Sequence, residues 1–275
     1  MSKVPRAGVI GHPISHSLSP KLHGHWLKTY GIQGEYTAID VSEDELGSRI
    51  RQLQDKGFRG INVTLPHKVE ILKHADQISD RATLIGAANT ITFKDDGRIL
   101  ADNTDGYGFI ANLRQGVPDW DPKMGPAAIF GAGGAARAII VALADAGVTD
   151  IFLSNRTRPK AEALRADFGP RIQVVDWVQA GTMLEDARTV INTTSLGMTG
   201  AQPFKVSLDQ LHQDAVVTDI VYTPLQTPLL LKAAEVGCRI VDGLGMLLHQ
   251  GVPGFERWFG IRPDVTLETR KAVLS

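Results

Sequence analysis

The chain has 275 residues, 43% hydrophobic and 21% charged, enough to bury a core in two domains without metals or disulfides to staple it. Lys and Arg number 29 against 30 Asp and Glu, a formal net charge of −1 without any block of like charge, so neither nucleic acid nor an anionic membrane is expected as a partner. The single cysteine, Cys238, excludes an internal disulfide, the apolar run at the amino terminus is too short for a signal peptide, and polar residues interrupt every candidate spanning segment, which makes a cytoplasmic protein the expectation.

In chain order, RAGVIG (6–11) reads as a buried strand, followed by the loop HPISHSLS. A helix is expected from Pro20 to Tyr30, with Ser19 placed to cap it. EYTAIDV (35–41) is a second strand, and Ser42 with Glu45 forms a capping-box pattern opening a helix that Gly57 closes. GINVT (60–64) is the third strand, and this alternation argues for a mainly parallel sheet. Asp96-Gly97 between two strand-like runs marks a hairpin within 87–106, before a helix starting near Asp105. Apolar strand candidates then recur at 126–130, 150–154, 172–175, 189–192, 215–219 and 238–241, the count of a doubly wound dinucleotide fold. Helices after Gly243 could pack back onto the first region.

Gly131, Gly133 and Ala136 have the G-x-G-x-x-(G/A) spacing between an apolar strand and a helix. Gly131 allows the tight turn, Gly133 lets backbone N–H groups approach a pyrophosphate, and Ala136 keeps helix and strand close. The next strand end separates NAD from NADP. An acid there accepts from the ribose 2′-hydroxyl, but this chain has Asn155 followed by Arg156, Arg158 and Lys160. A guanidinium can bind a 2′-phosphate through paired N–H bonds, which favours NADP, Arg156 foremost; the alternative is an ordinary solvated helix start.

Such a cofactor needs a substrate site at strand carboxyl ends. The first region offers Ser17 and Ser19 in HSLSP, Thr64 and Lys68 in NVTLPHK, Asn89 in GAANT and Asp105 in DNTDG. Neutral donors and acceptors with one cation and one carboxylate suit a small acid with several hydroxyls. Each also has a plainer reading: Ser19 as an N-cap, Asn89 bonding its own turn, Asp105 capping its helix, Lys68 in solvent.

HSLSP, NVTLPHK, GAANTI, DNTDGYG, GAGGAARA, NRT, NTTSLGM and DGLGMLLHQG, in this order, resemble the shikimate dehydrogenase family over nearly the whole chain. The resemblance implies an α/β fold with a substrate-binding domain at 1–105 and 243–275 and an NADP-binding Rossmann domain at 106–242. It implies NADP-dependent interconversion of 3-dehydroshikimate and shikimate, with a small-molecule substrate and room for a homodimer. Carried over to this chain, Lys68 and Asp105 are the catalytic pair. Ser17 and Ser19 hold the substrate carboxylate, and Thr64, Asn89, Tyr222 and Gln250 are further substrate contacts. Gly131, Ala132, Gly133, Gly134 and Ala135, with Asn155, Arg156, Thr157, Arg158 and Lys160, form the NADP turns; Ile220 and Gly243 complete the cofactor set. Asp102 is structural by the same match, and Lys160 stands where some members have arginine.

Three rivals remain in view. A quinate/shikimate dehydrogenase using NAD is opposed by Asn155-Arg156 and by Ser19, since quinate-using relatives often carry threonine at the second serine. A non-catalytic NADP-binding regulator would not need Lys68, Asp105 and both serines together. A metal enzyme finds no ligand spacing among the histidines at 12, 16, 23, 25, 67 and 74, and no metal is expected.

Overall fold

The structure is a computed structural model and describes residues 4–275. The chain divides into two compact units, one running up to Asp105 and resuming at Leu248–Ser275, the other Gly106–Leu247.

In the first unit, β1 (Arg6–Gly11), α1 (Ser19–Thr29), β2 (Glu35–Asp40), α2 (Leu46–Asp55) and β3 (Phe58–Val63) form two successive crossovers. β1 pairs in parallel with both β2 and β3. A 3-10 turn (Glu70–His74), β4 (Gln77–Ile78) and α3 (Asp80–Ile85) lead into the hairpin of β5 (Thr90–Phe93) and β6 (Ile99–Asp102). β5 is antiparallel to β3 and β6, and the sheet order is β2-β1-β3-β5-β6-β4. The hairpin turns where Asp96-Gly97 marks it: Gly97 has φ +86°, and the Lys94 N–H donates to the Arg98 carbonyl at 2.9 Å. Apolar residues of β1, β3, β5 and α2, among them Ile10, Ile61, Ile91 and Ile50, share one core.

Two helix starts differ from expectation. α1 has Leu18 at its N-cap without a side-chain cap, and Ser19 is already helical. The side chain that reaches back is Ser17, whose Oγ accepts from the Ser19 N–H at 3.3 Å. α2 begins at Leu46 behind a turn over residues 43–45, with Glu45 as N-cap. Only half of the capping box forms: the Glu45 carboxylate accepts from the Ser42 N–H at 3.5 Å, while the Ser42 hydroxyl donates to the same carboxylate oxygen at 2.9 Å instead of capping a backbone N–H. Gly57 does close α2, with φ +77° just past the cap residue Lys56.

In the second unit, α4 (Asp105–Gly116) leads to β7 (Ala127–Phe130), α5 (Gly134–Ala146), β8 (Ile151–Ser154), α6 (Arg158–Phe168) and β9 (Ile172–Val175). A 3-10 segment (Trp177–Leu184) precedes β10 (Thr189–Asn192) and β11 (Val216–Asp219), followed by α7 (Pro228–Val236) and β12 (Arg239–Val241). All six strands are parallel in the order β12-β11-β10-β7-β8-β9. Counted within this unit the order is 6-5-4-1-2-3, the doubly wound arrangement of dinucleotide-binding folds. The period of two is visible in β7, where Ala127 and Ile129 enter one core and Ala128 and Phe130 the other.

α8 (Leu244–Phe259) and α9 (Leu267–Leu274) end the chain. The second unit extends to Leu247, into α8, past the expected limit at 242/243. The start of α8 is tied to α4: Asn112 donates to the Asp242 carbonyl at 2.7 Å, and the Asp242 carboxylate caps the Leu244 N–H at 3.0 Å. The later part of α8 packs on the first sheet, where Trp258 donates to the Ile91 carbonyl at 3.1 Å. Gly60 makes that possible, because a Cβ there would collide with the Trp258 indole. Among the described residues no helix is long and apolar enough to cross a membrane.

Candidate active site

The apolar run of β3 delivers its last residues to a fixed turn. The Thr64 N–H donates to the Ile10 carbonyl at 2.9 Å, and the Ala88 N–H to the Lys68 carbonyl at 2.8 Å. His67 is buried and bonds the Val41 carbonyl at 2.7 Å, which pins the turn to the end of β2. The Lys68 ammonium emerges here and donates to Asp105 Oδ2 at 2.7 Å.

Asp105 is held from both sides. Its Oδ1 accepts from Asn89 Nδ2 at 2.8 Å, and the same amide nitrogen donates to Gln250 Oε1 at 3.1 Å. Asn89 Oδ1 in turn accepts from the Thr104 N–H and the Thr90 hydroxyl, both at 2.9 Å. Asn62, a polar residue within β3, donates to the Asn89 carbonyl at 3.2 Å and accepts from the Tyr36 hydroxyl at 2.6 Å. Asn89 therefore orients Asp105 and does not merely close its own turn. Nor does Asp105 serve as a simple helix cap, since both its oxygens are engaged by Lys68 and Asn89.

The DNTD turn is self-supporting. Asn103 Oδ1 accepts from the Asp105 N–H at 3.0 Å, and Asp102 Oδ1 from the Asn103 N–H at 2.8 Å. Asp102 itself is 2% exposed and bonded by Ser79, Arg81 and Arg257, which fits a structural residue. Burial alone would raise its pKa; the Ser79 hydroxyl and the two guanidinium groups outweigh this and hold it below the usual carboxylate value. Ser17 is half-buried and Ser19 buried at the start of α1, while Thr64 is half-buried beyond the end of β3. The structure thus joins Lys68, Asp105, Asn89 and Gln250 in one hydrogen-bonded cluster, and the bonds among these four do not include Ser17, Ser19 or Thr64.

In the second unit, Gly131 has φ +109°, and a Cβ there would meet Thr193 Oγ1 at 2.5 Å. A Cβ at Gly133 or Gly134 would meet nothing within 4 Å. Packing within the chain therefore does not call for glycine at these two positions, whereas a pyrophosphate lying against the backbone does. The first turn of α5 carries no acidic residue and no side-chain cap, leaving its N–H groups for an anion. Ala136 is fully buried in the core, as close helix–strand packing requires.

Asn155 links the two turns: its Oδ1 accepts from the Ala132 N–H at 3.1 Å and its Nδ2 donates to the Thr157 carbonyl at 2.8 Å. Thr157 takes the N-cap position of α6 without a side-chain cap. The Arg158 guanidinium is paired with Glu162 at 2.8 Å and Asp176 at 2.5 Å. Arg156 and Lys160 are exposed, with no ion pair among the described residues.

Ile220 and Tyr222 follow β11, where Asp219 accepts from the Val221 N–H, Asn192 Nδ2 and the Thr227 hydroxyl at 2.8–3.0 Å. Burial raises the Tyr222 pKa, and burial also raises that of Asp219 against these three hydrogen bonds. Gly243 is pressed against the same segment, since a Cβ there would lie 2.7 Å from the Asp219 carbonyl oxygen. No group of three or more potential metal ligands occurs among the described residues.

Asn62, Thr90, Thr104, Tyr36 and Asp219 are not among the residues singled out in the sequence. The only local sign is a polar side chain inside an apolar strand, as with Asn62 in INVT.

These features define a two-domain α/β protein, one unit carrying a half-buried lysine bonded into a buried Asp–Asn–Gln cluster and the other a dinucleotide-binding topology with its glycine-rich turn. Models described as the shikimate dehydrogenase substrate binding domain, shikimate / quinate 5-dehydrogenase and the shikimate 5'-dehydrogenase C-terminal domain match residues 9–91, 119–225 and 243–274. The chain belongs to the shikimate dehydrogenase family. It is 61% identical over 274 residues to the shikimate dehydrogenase (NADP(+)) of Roseobacter denitrificans, covering 100% of this chain and 99% of that one. Shikimate 5-dehydrogenase of Thermus thermophilus, solved in complex with NADP(H) and shikimate, superposes with a TM-score of 0.88 at 35% identity over 98% of this chain and 99% of that chain. Quinate dehydrogenase of Corynebacterium glutamicum, in complex with NAD, gives a TM-score of 0.90 at 30% identity, also over 98% and 99%.

Proposed function

We propose that this protein catalyses the NADP-dependent, reversible reduction of 3-dehydroshikimate to shikimate, a step toward chorismate and the aromatic amino acids. The observation that carries the reading is the Lys68–Asp105 pair at 2.7 Å, oriented by Asn89, in a chain 61% identical to an NADP-dependent shikimate dehydrogenase. NADPH, when bound, supplies the hydride. As the carbonyl carbon is reduced, negative charge develops on its oxygen, and that oxygen must gain a proton. The Lys68 ammonium both stabilises the charge and donates the proton. Asp105 orients the ammonium and accepts from a ring hydroxyl, with Asn89 fixing the carboxylate in turn. Ser17 and Ser19 take the substrate carboxylate. Thr64, Tyr222 and Gln250 keep the substrate-contact roles that the motif match implies.

The first unit is assigned the substrate and the second the cofactor. Gly131 to Ala135 are assigned the pyrophosphate, Asn155 to Lys160 the adenosine end, and Ile220 and Gly243 the nicotinamide end. Asn155 contributes by bracing the turns, and the engaged Arg158 leaves Arg156 as the leading phosphate ligand of its run. The proposed setting is cytoplasmic, with a small-molecule substrate, no nucleic-acid or membrane partner, and a monomer or homodimer as the working unit.

The second reading, NAD-dependent use of quinate, has one specific support: the quinate dehydrogenase of Corynebacterium glutamicum superposes as well as the shikimate enzymes do. The fold therefore does not separate the two. Asn155-Arg156 in place of an acid, together with Ser19, favours shikimate and NADP. Purified protein assayed with shikimate and quinate, each with NADP⁺ and NAD⁺, tests both readings by nicotinamide absorbance. High catalytic efficiency for shikimate with NADP⁺ alone is expected; equal efficiency for quinate or NAD⁺ would replace the first reading with the second.

A further inference from the structure

We propose that Lys205 is a second cation for the 2′-phosphate of the bound dinucleotide, sharing its cavity with Arg156. This deepens the NADP reading above and rests on it. A cavity of about 640 Å³ in the second unit is lined by Arg156, Trp177, Leu196, Pro203 and Lys205, together with polar residues of the β10–β11 segment. Asn155 and Arg156 enter it from the carboxyl end of β8, the second strand of the dinucleotide fold, where this architecture reads the ribose 2′ position. Trp177, Leu196 and Pro203 give it an apolar wall suited to a purine, and none of its lining residues is acidic.

A phosphate monoester carries about −1.5 to −2 charges at pH 7, so one guanidinium leaves it under-neutralised. Neither neighbouring cation of the Arg156 run lines this cavity. Arg158 is committed to Glu162 and Asp176, and Lys160 is not part of the cavity lining. Lys205 comes from a different segment, between β10 and β11, and faces the same cavity. It is exposed and has no ion pair among the described residues, so its ammonium is available to an incoming anion. An ammonium here would add affinity for the 2′-phosphate while leaving the rest of the nucleotide untouched.

Calorimetric titration of the purified protein with adenosine 2′,5′-bisphosphate and with 5′-AMP tests this without turnover. The wild type should bind the bisphosphate more tightly, and Lys205→Ala should lose about tenfold for the bisphosphate, the scale of one charge-assisted contact in solvent. Affinity for 5′-AMP should stay within about twofold, and Lys205→Arg should restore most of the bisphosphate affinity. Lys205→Gln keeps a polar side chain of nearly the same reach, drops the charge, and repeats the test should the alanine variant fold poorly. Unchanged bisphosphate affinity in the folded variants, or an equal loss for both nucleotides, overturns the role of Lys205. A wild type that does not distinguish the two nucleotides overturns the NADP reading itself, a separate outcome.

Discussion

Lys68 Nζ lies 2.7 Å from one oxygen of Asp105, while Asn89 Nδ2 holds the other oxygen at 2.8 Å. The carboxylate is thus fixed before any substrate arrives, and the ammonium has its direction set by a partner that cannot swing away. Lys68→Ala removes the proton donor without disturbing a core residue, so kcat should fall about 10²-fold or more with a smaller change in KM. Steady-state kinetics on folded protein measures it; near-normal turnover would remove Lys68 from the catalytic role.

Asn89→Ala acts one step back. It leaves one Asp105 oxygen and the Gln250 amide without their shared donor inside a buried cluster. The expected effect is a loss of kcat of about tenfold together with about 1–3 kcal/mol of stability, the range for orphaned buried polar groups. Asn89→Asp, which keeps the shape but places a second carboxylate beside Asp105, should do worse in kcat than in thermal midpoint. A variant with unchanged kinetics would show that Asp105 needs no such support.

How much of this was legible along the chain depends on how local each feature is. At 126–146 an apolar strand, a glycine turn and a helix follow one another without a gap, so the dinucleotide unit declares itself. β4 and α3 are only two and six residues long, too short to display any period. The Ser17–Ser19 bond instead of an N-cap at Ser19 depends on how the loop enters α1, which residue type alone does not decide. Thr90 follows Asn89 directly in the chain, but Asn62 and Thr104 come from other segments, and only the pairing of β5 with β3 and β6 brings them to Asn89. Arg158 resembles its neighbour Arg156 in sequence, but Asp176, 18 positions away, neutralises it in space. Lys205 sits in a segment with neither helical nor strand period, so nothing nearby singled it out.

Ser19 is buried at the first turn of α1, with its N–H directed to Ser17 Oγ. If these hydroxyls take the substrate carboxylate, Ser19→Ala removes one hydrogen bond to a charged group, which is worth about 10- to 100-fold in binding. KM for shikimate should rise on that scale, kcat should change less, and KM for NADP⁺ should stay unchanged. A matching rise in both KM values would point to a general loss of structure instead.

Asp102 joins β6 to two arginines, Arg81 in the first turn of α3 and Arg257 on α8, and also accepts from Ser79. Its pKa lies below the unfolded value, so its contribution is complete above that value, about 3.9, and is lost as pH falls through the lower folded pKa. Asp102→Asn should lower stability at pH 7 by about 2 kcal/mol. This is less than a fully buried pair would cost, because both arginines are partly exposed to solvent. Below about pH 4 the difference between variant and wild type should shrink, as urea midpoints across pH 3–7 would reveal; a constant gap would sink the ion-pair account.

His23 is fully buried, stacked on Tyr36 at 3.9 Å and 2° and packed against Trp26, Phe255 and Trp258. Neither ring nitrogen meets hydrogen-bond geometry with any described residue. Burial pushes its pKa down to about 3, offset only in part by the Asn62 amide nearby. The folded state therefore holds a neutral ring while the unfolded chain takes up a proton near pH 6.5. Stability is complete above that value and is lost as pH falls toward 3. Moving from pH 7 to pH 5 should cost about 2 kcal/mol through this one residue. His23→Phe keeps the ring stack, removes two orphaned nitrogens and has no proton to gain. It should match or exceed wild-type stability at pH 7 and lose about 2 kcal/mol less on acidification to pH 5. Urea unfolding at the two pH values reads the difference, and parallel losses in both proteins would show that His23 already has a way to accept its proton in the fold.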